Sequence, residues 1–82
     1  MKKYELDARY DSRESFYHKA VVEEDKNGKT LYSYETKVCT LKGGKIKVLN
    51  VQSATTRRHI KEFLRQETGK TYSTKELRLM AV

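Results

Sequence analysis

The chain has 82 residues, of which 37% are hydrophobic and 35% charged, and its formal net charge is +7. This length allows one small domain with a thin core, so we predict a single domain over residues 1–82. The single cysteine, Cys39, excludes an internal disulfide, and no apolar run is long enough for a signal peptide or a membrane span, so we expect a soluble cytoplasmic protein without membrane contact.

The first half of the chain alternates apolar and polar residues with the period of half-buried strands. The alternation runs through Tyr4 and Leu6 and resumes through Ala20 and Val22, in a run that also places Phe16 and His18 on the same face. Asn27-Gly28 predicts a type I′ hairpin turn, and Gly43-Gly44 predicts a second tight turn. Between them, residues 30–41 are predicted as one strand, which gives a sheet over residues 3–51.

Two helices are predicted after the sheet. Ser53 or Thr55 can cap the start of the first, which we place at residues 54–67, and Gly69 can end it in a left-handed conformation. Its apolar residues form one stripe suited to a sheet, namely Ile60, Phe63 and Leu64. The capping-box pattern Ser73-x-x-Glu76 predicts a short helix at residues 74–80. The fold class is therefore α+β: a three- or four-stranded antiparallel meander, an amphipathic helix packed on the sheet, and a short C-terminal helix.

The positive charge is concentrated in the second half. Residues 1–41 are neutral overall, and residues 42–82 carry the whole excess of +7, which favours a polyanionic partner. The predicted helix has hydroxyls and cations at its start and along one face, as a phosphate site requires. The candidate nucleic-acid-binding residues are Ser53, Thr55, Thr56, Arg57, Arg58, Lys61 and Arg65, extended on a neighbouring hairpin by Lys42, Lys45 and Lys47. The alternative is that the hydroxyls only cap the helix and the arginines are solvated.

Two tyrosines are possible aromatic contacts for bases. Tyr32 and Tyr34 stand among cations, an arrangement by which sheets hold single-stranded nucleic acid. The alternative is that both rings belong to the core of a domain that has few other apolar residues.

Catalytic patterns are weak, so we predict no enzyme, cofactor, metal site or small-molecule substrate. Glu35-Thr36-Lys37 has the E-x-K spelling of one class of metal-dependent nucleases, yet nothing in the sequence indicates the second acid of such a site. His18 and His59 lack the neighbouring ligands of a zinc site, and we expect His59 to be a packed residue or to lie at the rim of the core.

Three segments resemble a group of short uncharacterised proteins of phages and mobile elements of Gram-positive bacteria. They are residues 10–20, residues 32–38 and the element Ser53-x-Thr55-Thr56-x-x-His59-Ile60-x-Glu62-Phe63-Leu64-x-Gln66. The resemblance implies a small accessory protein in the cytoplasm of a bacterial host. With the basic helix face it predicts non-catalytic binding of DNA or RNA. The alternative is an anti-CRISPR-like inhibitor that binds a host protein or nucleoprotein, and the oligomeric state stays open.

Overall fold

A computed structural model describes residues 2–9, 19–51 and 53–81. The described strands form one antiparallel sheet in sequence order, followed by two helices. The strands are β1 (Lys2–Glu5), β2 (Ala20–Asp25), β3 (Gly28–Ser33), β4 (Thr36–Lys42) and β5 (Lys45–Val48), and the helices are α1 (Ala54–Thr68) and α2 (Thr74–Met80). The α+β class and the antiparallel meander are confirmed, and the described residues alone form five strands rather than the predicted three or four. The predicted positions of Phe16 and His18 lie outside the described residues.

The β2–β3 hairpin turns one residue earlier than predicted. Its strands end on the pair Asp25 and Gly28, so Lys26 and Asn27 occupy the turn rather than Asn27-Gly28. The Asp25 carboxylate accepts hydrogen bonds from the backbone N–H groups of Asn27 (2.8 Å) and Gly28 (3.1 Å), which fixes the turn through a side chain. Gly28 has a φ of 146°, and a Cβ there would collide with the Leu41 carbonyl oxygen. Only glycine fits this close approach.

The predicted strand over residues 30–41 is wrong, because the chain reverses inside it. β3 ends at Ser33, which pairs with Thr36, and the two residues between them form the turn. Tyr34 (φ 50°) and Glu35 (φ 69°) both have left-handed backbones. Positive φ at both central residues is the geometry of a type I′ turn, which closes a two-residue hairpin with the natural twist of the strands. Neither residue is a type that usually supplies this geometry.

A bulge in β4 changes which side chains face the core. The pairing passes from Leu31 opposite Cys39 to Tyr32 opposite Lys37, so Val38 is the extra residue. Val38 and Cys39 are therefore both buried although they are neighbours in sequence. Ser33 at the end of β3 is buried as well.

The core lies between one face of the sheet and the two helices. The predicted stripe on α1 is confirmed, since Ile60, Phe63 and Leu64 are fully buried. They pack against sheet residues that include Val22 and Leu31. Burying each large apolar side chain contributes about 1.5–3 kcal/mol, which makes this stripe the main attachment of α1.

The helix ends follow the sequence signals. Ser53 caps α1 through its hydroxyl, and Gly69 ends it with a φ of 75°. In α2 the Ser73 hydroxyl accepts from the Glu76 N–H while the Glu76 carboxylate accepts from the Ser73 N–H, so the capping box is confirmed. The N-terminal boundary of α1 is also the predicted one, at residue 54.

Two contacts tie the helices to the sheet at its margins. The Lys29 ammonium on β3 donates to the Glu67 carboxylate of α1 at 2.9 Å, and this bond is the main cause that raises the pKa of Lys29. After α2 the chain returns to the sheet, where Ala81 forms a parallel bridge with Val48 of β5. Helix α1 is therefore anchored on the inner face of the sheet, and the chain after α2 is anchored at its β5 edge.

Candidate nucleic-acid interface

The outer face of the sheet, which points away from α1, carries a cluster of lysines on β4 and β5. Inner positions are marked by the cross-strand pairs Leu41–Ile46 and Cys39–Val48, whose side chains belong to or pack on the core. Because side chains alternate along a strand, Lys42, Lys45 and Lys47 face outwards. Beyond the bulge at Val38, Lys37 pairs with Tyr32 and shares its outward face. We call these four residues the lysine face: Lys37, Lys42, Lys45 and Lys47.

The lysine face has no internal neutralisation among the described residues. Its four side chains are exposed and make no ion pair or hydrogen bond within residues 2–9, 19–51 and 53–81. Lys42 lies directly opposite Lys45 across the Gly43-Gly44 turn, and Lys47 lies opposite Thr40. Like charges directly opposite each other destabilise a hairpin, so this arrangement costs folding energy that an external anion would offset.

The predicted basic residues of α1 make contacts within the domain. The Arg57 guanidinium donates to the Val51 carbonyl oxygen at 2.7 Å, and the Lys61 ammonium donates to the Thr74 hydroxyl at 3.0 Å. Both bonds hold α1 to neighbouring segments. The partners in these two bonds are neutral oxygen atoms, so these bonds fix the side chains without cancelling their charge.

The other two cations of α1 differ in exposure, since Arg65 is half-buried and Arg58 is exposed. The Arg65 guanidinium donates to the carbonyl of Gly69 and so closes the end of the helix. As predicted, the four cations of α1 lie outside its buried stripe.

The predicted hydroxyls at the start of α1 serve the fold. The Ser53 hydroxyl accepts from the Thr56 N–H at 3.3 Å, which is the capping role left open from the sequence. Thr56 is buried, and its hydroxyl lies 3.4 Å from that of Ser33 on β3. Thr55 is half-buried. Ser53 and Thr56 are therefore engaged inside the domain.

The structure separates the two predicted groups of cations. The stripe of α1 packs on the inner face of the sheet, whereas Lys42, Lys45 and Lys47 project from the outer face. The sheet itself lies between them. The helix cations and the hairpin lysines do not form one continuous track.

The two predicted tyrosines meet at an open groove on the outer face. Tyr32 is half-buried and lies between Val21 and Lys37 in the register, and Tyr34 is 51% exposed in the neighbouring turn. The groove has a volume of about 670 Å³. We call it the tyrosine groove and define it by its lining: Val21, Glu23, Tyr32, Tyr34 and Glu35, with Lys3 and Lys19.

Tyr34 is held in place from the inner side of the sheet. Its ring stacks on that of His59, with centroids 6.0 Å apart and an interplanar angle of 29°, and the Lys19 ammonium lies 5.1 Å from the Tyr34 ring centroid. His59 is buried, as expected for a packed residue, and its Nδ1 lies 2.7 Å from the Ser33 hydroxyl. Because both members of this Ser–His pair are buried, the serine has no access to a substrate. The pair supports the position of Tyr34.

The sequence pattern missed several residues of these surfaces. Strict alternation along the single predicted strand 30–41 puts Lys37 on the same face as Cys39, because that prediction includes neither the turn at Tyr34-Glu35 nor the bulge at Val38. A hairpin turn at Tyr34-Glu35 pairs Tyr32 with Lys37, and this pairing puts both side chains on the outer face. Lys3, Lys19 and Glu23 join the groove through cross-strand pairing, which single-chain periodicity does not specify.

The structure also places the other reactive groups that were considered from the sequence and lie among the described residues. Burial raises the pKa of the Cys39 thiol from 9.0 to about 12, which keeps it protonated. Glu35 of the E-x-K pattern lies in an exposed turn. In the part of the chain that the structure describes, no three His, Cys, Asp or Glu side chains are grouped as metal ligands. No helix among those residues is both long and apolar enough to cross a membrane.

Comparison with known proteins gives one match. A family model described as a family of unknown function, DUF8033, matches residues 4–78. No curated protein and no solved structure matches the chain.

Proposed function

We propose that this chain, which belongs to the DUF8033 family, binds nucleic acid without catalysis through the outer face of its sheet. The observation that carries the proposal is the lysine face, in which four exposed lysines have no acidic partner among the described residues. A nucleic-acid backbone supplies the repeated negative charge that such a cluster favours.

The spacing of the lysines suits a polymer rather than a single anion. Lys45 and Lys47 stand two residues apart on β5, which places their Cα atoms about 7 Å apart along the strand. Lys42 lies opposite Lys45 on the adjacent strand, about 5 Å away across the hydrogen bonds. Lys37 lies farther along β4, past its pairing with β5 and opposite Tyr32. A flat array of cations over these distances can contact several successive phosphates at once.

The tyrosines favour nucleic acid over other polyanions. Tyr32 lies directly opposite Lys37, so an aromatic ring and a cation are neighbours on the same face. Bases that stack on such rings while their phosphates contact lysines are a common mode of single-strand binding. The sheet face therefore supports this function better than the helix, whose basic side chains make interactions within the domain.

The test is a binding titration with matched variants. Fluorescence anisotropy would follow labelled single-stranded and duplex oligonucleotides at about 50 and 200 mM salt. Four phosphate contacts predict a slope of log K against log salt near −3 for a single strand. The double variant Lys45→Gln/Lys47→Gln should reduce the magnitude of that slope by about 1.4. The control removes two charges from the helix instead, with Arg58→Gln/Lys61→Gln.

The outcomes separate the two surfaces. Binding that weakens at least tenfold in the β5 variant and little in the helix variant supports the proposal. A loss confined to the helix variant transfers the site to α1, as the sequence first suggested. Absence of binding at the lower salt concentration overturns nucleic-acid binding by either surface.

A further inference from the structure

We propose that the tyrosine groove binds an unpaired nucleobase that carries an exocyclic amino group, with cytosine preferred over uracil. This inference rests on the proposed function, because it assigns to the groove the base of a strand whose phosphates lie on the lysine face. It adds a preference among bases, which the lysines alone do not provide.

The charge of the groove distinguishes it from the lysine face. Its lining holds two lysines and two glutamates, so its formal charge is zero. A phosphate gains little electrostatic binding energy from such a lining. A neutral aromatic group with hydrogen-bond donors can stack on its tyrosines and donate to its carboxylates. The volume of about 670 Å³ falls in the size range of small-ligand sites.

The two carboxylates are free to accept hydrogen bonds. Neither Glu23 nor Glu35 makes an ion pair or a hydrogen bond with another described residue. An ionised carboxylate only accepts, and the exocyclic amino group of cytosine only donates. Uracil presents an acceptor oxygen at the same position, which a carboxylate repels. The half-buried ring of Tyr32 supplies the surface on which either base could stack.

The backbone at the groove carries strain. Tyr34 and Glu35 both have positive φ although neither is glycine or asparagine. Such strained positions persist where the surrounding structure enforces them, and they are concentrated at binding sites. Here the turn brings Tyr34 and Glu35 to the lining of the same groove, and the stack on His59 holds the Tyr34 ring.

The groove is continuous with the lysine face. Tyr32 belongs to the groove, and its cross-strand partner Lys37 belongs to the lysine face. A single strand that runs along β4 and β5 can therefore turn one base into the groove without leaving the sheet. A duplex has no free base to insert, so the inference also predicts preference for single strands.

The experiment compares two bases that differ in one substituent. Labelled oligo-dC and oligo-dU of about 12 nucleotides would be titrated at fixed low salt against the wild type and against Glu23→Gln and Glu35→Gln. We expect oligo-dC to bind about tenfold more tightly than oligo-dU to the wild type. Loss of either carboxylate should bring this ratio close to one while leaving the salt slope unchanged. The control Asp7→Asn removes an exposed acid whose ion pair with Arg9 lies outside the groove lining, and it should keep the ratio.

Each result has one reading. Equal, salt-dependent binding of the two oligonucleotides by the wild type overturns the base preference and leaves the proposed function intact. A dC preference that survives in both glutamine variants also overturns the assignment to the groove. Failure of both oligonucleotides to bind at low salt overturns the base preference, and it refutes the proposed function itself if the duplex also fails to bind. Far-UV circular dichroism of every variant verifies that the domain is folded.

Discussion

Replacing Glu35 by glycine should stabilise the domain. Glu35 has a φ of 69°, a left-handed conformation that costs an L-residue about 1–2 kcal/mol relative to its usual geometry. Glycine avoids this cost but loses about 0.5–1 kcal/mol more conformational entropy on folding. The Glu35 side chain is exposed and makes no ion pair or hydrogen bond with the described residues, so little is lost with it. The expected net gain is about 0.5–1 kcal/mol.

The assay is thermal and urea denaturation followed by circular dichroism. For a domain of this size the gain corresponds to a rise in Tm of about 2–8 °C. The control is Glu35→Ala, which removes the same carboxylate and keeps the Cβ that makes positive φ costly. The alanine variant should match the wild type within about 0.5 kcal/mol. If the glycine variant is no more stable than the alanine variant, the backbone at this turn is not strained in solution and the reasoning fails.

Three further changes test other parts of the structure. Lys45→Glu places a carboxylate opposite the cross-strand Lys42, so it should raise the unfolding free energy in urea by about 0.5 kcal/mol while weakening oligonucleotide binding. A fall in the unfolding free energy together with the weaker binding would contradict the charge argument. Ser33→Ala removes the hydroxyl 2.7 Å from the buried His59 ring nitrogen and should cost about 1–3 kcal/mol in the same assay, against nearly none for the exposed Thr36→Ala. The pKa of the Cys39 thiol is raised from 9.0 to about 12, so the unfolded chain ionises first and the contribution of the protonated thiol is lost as pH rises through this range. Between about pH 8 and pH 10 the unfolding free energy of the wild type should therefore fall by about 1.4 kcal/mol relative to that of Cys39→Ala. Parallel profiles of unfolding free energy against pH for the two proteins would contradict this expectation.

The helices were predictable because their signals are local. Ser53, Gly69 and the pair Ser73 and Glu76 act within one turn of the residues that they cap, so their spacing in the sequence already specifies the geometry. The buried stripe of α1 follows from helical periodicity in the same way.

The division of residues 30–41 into two strands was not predictable from local preference. Tyrosine and glutamate rarely adopt positive φ, so nothing at Tyr34 and Glu35 indicates a turn by composition. The pairing of β3 with β4 on either side of that turn imposes the geometry from outside. The bulge at Val38 then changes the alternation again, which a strict period of two cannot follow.

The basic residues were found as a set, but their arrangement in space was not. Lys42, Lys45 and Lys47 alternate correctly along their strands, and their common face could be read from the sequence. Which face of the sheet α1 covers depends on core packing. That choice separates these lysines from the cations of the helix.

The pairing of each strand with the next one in the chain has a consequence for folding kinetics. The hairpins β2–β3 and β4–β5 have glycine at or beside their turns, and isolated hairpins close on the order of microseconds. Joining them requires Tyr34 and Glu35 to enter a costly backbone conformation before the central contacts of the sheet exist. We therefore expect the Tyr34-Glu35 turn, which shapes the groove, to limit the rate of folding as well.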